Sequence, residues 1–161
     1  MRIKLAGIIL FTLVLIPCCM DKGTDQTGAN EGVISYDSLL ARELGADSYG
    51  MKQYVMAFLV RGENRSADSA EASRLQRAHL DNITRMAQEG KLILAGPFLD
   101  STELRGIYVF NVSGIEEAEE LTSTDPAIKA GVLAMELHPW YGPAALQKLN
   151  QIQALIQKDS I

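Results

Sequence analysis

The chain has 161 residues with 15 basic and 20 acidic side chains, a formal charge of −5. Without a basic stripe, this balance argues against nucleic acid as a partner and against electrostatic attraction to anionic lipid. The only two cysteines, Cys18 and Cys19, lie near the N-terminus, so no disulfide framework staples the body of the protein and an apolar core must stabilise it.

Residues 1–18 read as an export signal. Arg2 and Lys4 form a short positive region, and 5–16 is a nearly unbroken apolar run, too short for a permanent membrane span. A cysteine closing such a run resembles the lipobox of bacterial lipoproteins. Cys19 fits better than Cys18, because Pro17 makes Cys18 an awkward cleavage point. The expected location is a bacterial cell envelope, on the periplasmic or outer face, with membrane contact only through lipid on Cys19 (or Cys18). Loss of Arg2 and Lys4 leaves 13 basic against 20 acidic residues, about −7. Residues 19–32 are polar and Gly-rich and read as a flexible tether. Residues 33–50 form an appendage with a short helical pattern of Tyr36, Leu39, Leu40 and Leu44, stopped by Gly45.

The compact part, 51–142, follows. A strand over 52–60 is apolar on both faces, Tyr54, Met56, Phe58 and Val60 on one and Val55, Ala57 and Leu59 on the other. A helix then runs to about Glu89, stopped by Gly90. Strands are expected over 91–98 and 104–112, joined by a turn. A helix opened by acidic residues starts near Ile115, a fourth strand covers 132–140, and a closing helix spans about 143–158 within the last segment, 143–161. Leu146, Leu149, Ile152 and Ile156 fall on one side of it.

Strand, helix, strand, strand, helix, strand is the split βαβ order of a ferredoxin-like α+β fold, an antiparallel sheet with helices on one face. The first strand is apolar on both faces, so the other face is expected to meet a second copy of the chain, giving a homodimer.

His79 and His138 are the only histidines. On a helical wheel His79 shares an arc of about 140° with Leu75, Met86, Ala72, Ile83, Ala87 and Leu80, so its imidazole points to the sheet. Asp81 falls on the opposite face between Arg77 and Arg85, where an ion-pair ladder is expected. An inward histidine is either a satisfied core residue or a base held by a carboxylate. Asp125 is the candidate partner. Followed by Pro126, it also has the grammar of a helix cap, with Gly131 ending the turn. One oxygen can cap while the other accepts from an imidazole.

The stretches RAHLDNITRMAQEGKLILAGPF, DPAIKAGV and ELHPW resemble the YCII-related domain over about 51–140. The resemblance implies a ferredoxin-like fold dimerising into an α/β barrel, with His79 and Asp125 as a dyad in a cleft. His138, Trp140, Gly96 and Pro97 are candidate pocket residues: an aromatic rim at one strand end, and a bend permitting close approach at another. There is no metal-ligand spacing, phosphate loop, nucleophile elbow or haem or flavin box, so neither metal nor cofactor is expected. The residues leave two readings. One is an envelope enzyme using a His-Asp acid/base pair on an unknown small molecule; the other is a non-catalytic module binding a ligand or a protein.

Overall fold

In a computed structural model the chain is described over residues 35–65 and 68–159. The segments expected as export signal, lipidation site (Cys19 or Cys18) and tether therefore lie outside the described residues. Four antiparallel strands form one sheet in the order β2-β3-β1-β4: β1 Met51–Arg61, β2 Leu92–Pro97, β3 Leu104–Phe110 and β4 Leu133–Pro143. The helices are α1 Ser38–Glu43, α2 Ser69–Gln88, α3 Ile115–Thr122, α4 Pro126–Lys129 and α5 Leu149–Ile156. This is the ferredoxin-like α+β arrangement, with a C-terminal helix added.

Several helix ends carry their signals in the sequence. Asp68 caps α2 by accepting from the Ala70 amide at 2.9 Å, and Gly90 ends it at φ +70°, a conformation that favours glycine. Glu116 and Glu117 occupy the first turn of α3, where the dipole favours acids. Val55, Ala57 and Leu59 of β1 pack with Tyr108 and Phe110 of β3, Met86 of α2 and Ala118 of α3 in the main core. Burying each large apolar side chain is worth roughly 1.5–3 kcal/mol. Tyr54 turns to the opposite face and packs with Ile93, Val109, Trp140 and Leu146.

Three expectations are corrected. The fourth strand does not stop at Trp140 but pairs with β1 through Pro143, from Arg61↔Leu133 to Met51↔Pro143. β4 lies at the sheet edge, where proline costs no ladder bond on its open side. The closing helix does not start at 143: a 3-10 turn, Ala144–Lys148, precedes α5. Leu146 in that turn covers part of the sheet face expected to be bare, while Ile152, Leu155 and Ile156 remain exposed. Finally, Arg85 does not pair with Asp81. It forms a two-bond ion pair with Glu89 at 2.7 and 2.8 Å and reaches Asn82 and Thr124.

Candidate functional site

α2 turns His79 inward and the short α4 begins beside it. His79 Nδ1–H donates to Asp125 Oδ2 at 2.7 Å. A carboxylate only accepts, so this bond places the neutral ring's proton on Nδ1 and leaves Nε2 as an acceptor. The Tyr108 hydroxyl, from β3, donates to Nε2 at 3.3 Å. Asp125 is fully buried and His79 is 7% exposed. The other carboxylate oxygen, Oδ1, accepts from the Ala127 amide at 2.8 Å. Asp125 thus caps α4 and holds the imidazole at once, as its two oxygens permit.

Burial, and secondarily the Asp125 charge, push the Tyr108 phenol far above its ordinary value of 10.0. It stays a neutral donor throughout the working range. Tyr108 was not singled out from the sequence. The signal was there: a tyrosine on the inward face of a strand needs a partner for its hydroxyl.

A second layer holds the loop that carries Asp125. Arg85 Nη2 donates to Asn82 Oδ1 at 2.9 Å and to Thr124 Oγ1 at 3.0 Å, and Thr124 donates to Asn82 Oδ1 at 3.1 Å. α2 is thereby bonded to the residue preceding Asp125.

A hollow of about 300 Å³ lies one helical turn from His79, between α2 and the segment after α4, and neither His79 nor Asp125 lines it. Its lining is Ala72 and Leu75 of α2 with Ala127, Val132 and Leu133, together with the polar Gln76 and Arg65.

The four other candidate residues do not join this site. His138 pairs in register with Met56 and meets the Phe58 ring edge-on at 5.5 Å, on the sheet face away from His79. Trp140 packs on Tyr54 at 5.8 Å and lines a separate hollow of about 370 Å³ with Gln53, Ser113 and Tyr141, at the other end of β1. Gly96 and Pro97 pair with Ile107 and Gly106 and line neither hollow. The close approach expected at Gly96 is made by Gly106, where a Cβ would stand 2.5 Å from the Gly96 carbonyl oxygen. A Cβ on Gly96 itself would meet nothing within 4 Å.

Comparison with known proteins places this geometry. The YCII-related domain pattern matches residues 56–141. The uncharacterized protein YjpA of Bacillus subtilis (strain 168) is 32% identical over 62 residues, which are 38% of this chain and 71% of that protein. Among solved structures, 5-chloro-2-hydroxyhydroquinone dehydrochlorinase (TftG) from Burkholderia phenoliruptrix AC1100, in complex with 2,5-dihydroxybenzoquinone, aligns with a TM-score of 0.41 at 17% identity. That alignment covers 53% of this chain and 92% of the other, and is too slight to carry chemistry across. The domain match and the relative together make the chain a member of the YCII-related domain family.

Proposed function

We propose that the protein is an envelope enzyme that moves a proton on a small organic compound, with His79 as general acid/base and Asp125 as the group that orients it. The observation that carries this reading is the buried 2.7 Å bond from His79 Nδ1 to Asp125 Oδ2. It fixes the tautomer, leaves Nε2 as the reacting nitrogen, and offers a negative charge to stabilise the imidazolium formed when Nε2 takes a proton. The bond from Tyr108 to Nε2 is long, at 3.3 Å, so a substrate group reaching Nε2 displaces little. Membership in the YCII-related family, in which such a His and Asp are proposed as a dyad, supports the assignment. The apolar run 5–16 and Cys19 (or Cys18) support export and lipid anchoring in a bacterial envelope. The half-buried apolar face of the sheet supports a homodimer.

A second reading, a non-catalytic binding module, is favoured by the bond from the Ala127 amide to Asp125 Oδ1, since capping alone gives this aspartate a structural role. Proton exchange separates the two. A panel of carbon acids (a β-keto acid, an unsaturated lactone and an α-hydroxyketone) is incubated with the protein in D2O and followed by NMR. Deuterium is expected to enter at least one, and His79→Gln to slow that entry by about a hundredfold or more. Binding without exchange, or exchange undiminished in His79→Gln, leaves the module reading in place.

A further inference from the structure

We propose that the hollow one helical turn from His79, lined by Leu75, Ala127, Val132, Leu133 and Arg65, takes a small organic anion, an apolar body bearing one carboxylate, whose charge is read by Arg65. As a substrate class, it rests on the proposed function, with the hollow holding the body of the compound on which His79 acts. The walls supply the first half of the argument. Leu75, Ala127, Val132 and Leu133 are apolar, so they favour a hydrocarbon or ring over a sugar or a phosphate ester.

Arg65 supplies the second half. Among the described residues it donates two long hydrogen bonds, both 3.4 Å, from Nη1 to the carbonyls of Gly62 and Asn64 in its own loop. A guanidinium has five N–H donors, and both of these bonds use Nη1, so Nε and Nη2 can serve a ligand in the hollow that Arg65 lines. The loop that carries Arg65 is itself pinned. The Gly62 amide donates to the Val132 carbonyl at 2.9 Å, and the Asn64 amide to the Gly131 carbonyl at 3.0 Å. The Asn64 side chain adds a bond to the Ala130 carbonyl at 2.8 Å. The backbone bearing Arg65 is therefore fastened to the turn that supplies Val132 to the apolar wall, which keeps the guanidinium within reach of the hollow. In a chain of net charge −5, an anionic substrate needs such a local cation to enter.

The test uses benzoate and its neutral isostere benzamide as probes, titrated into the full ¹⁵N-labelled chain. Benzoate is expected to move the amide resonances of Leu75, Ala127, Val132 and Leu133 and to bind about tenfold more tightly than benzamide. That preference is expected to shrink in high salt, to vanish in Arg65→Gln, and to survive in His79→Gln. Equal binding of the two probes at these residues, or a preference that persists in Arg65→Gln, overturns the proposal. Its failure is distinguishable from failure of the enzyme reading. Proton exchange lost on His79→Gln with no anion preference defeats this inference alone, and anion preference without any exchange defeats the enzyme alone.

Discussion

Asp125 and Tyr108 hold His79 from its two ring nitrogens, and the phenol carries a pH dependence of its own. Because burial raises the Tyr108 phenol, its contribution to stability is fully present below its ordinary value of 10.0. Above that pH the unfolded chain releases the proton while the folded chain keeps it, so stability falls as pH rises. The slope approaches about 1.4 kcal/mol per pH unit for one such group. Tyr54, also raised by burial, adds to the same alkaline limb. Tyr108→Phe is expected to flatten this limb without removing it, which urea unfolding at about pH 8 and about pH 11 measures. A parallel loss in both proteins means that the phenol is not held in this way. At this scale the sequence was partly legible. The helical spacing of Leu75, His79 and Ile83 pointed the imidazole inward. Tyr108 was missed: alternation in β3 could have marked it as inward-facing, but not which ring nitrogen its hydroxyl would meet, since that depends on the height of α2 over the strand.

Between elements, backbones meet where side chains are missing. A Cβ on Gly62 would stand 2.1 Å from the Gly131 carbonyl oxygen, and neither partner is a flexible side-chain tip. Gly62→Ala is expected to cost about 1–3 kcal/mol and to loosen the turn beside the hollow. Gly96→Ala is the control, with open space around its Cβ, and its melting temperature is expected to stay near that of the parent. Equal melting temperatures for the two variants would sink the argument. Element identity was legible wherever one periodicity dominated. β1 revealed itself by its β-branched and aromatic residues, and α2 by its apolar arc ending at Gly90. The reach of β4 was hidden because Gly142 and Pro143 read as the break before a closing helix, and only the position of β4 at the sheet edge makes its prolines harmless. The 3-10 turn had no periodic signal to give.

For the molecule as a whole, the sheet face away from α2 is the surface on which the proposed homodimer can be tested. Met56, Phe58, Val60 and Ile107 are only half-buried there, and Phe58 sits between Ile107 and Glu136 in the cross-strand row. If two such faces meet, Phe58→Glu is expected to give a folded monomer. Light scattering coupled to size exclusion would report half the parent's mass, with circular dichroism unchanged. An unchanged mass would remove the sheet-to-sheet dimer. One feature of the site also bears on folding order. His79 and Asp125 are 46 residues apart, and the turn after α4 is joined to the segment after β1 by the bonds from the Gly62 and Asn64 amides to Val132 and Gly131. Long-range closures are costly in chain entropy and tend to form late. During synthesis α2 leaves the ribosome with an unpaired imidazole, and the pair exists only after the segment around 125–132 has followed and docked. The His79–Asp125 pair is thus among the last things this chain completes, and a product truncated before Asp125 carries the histidine without its carboxylate.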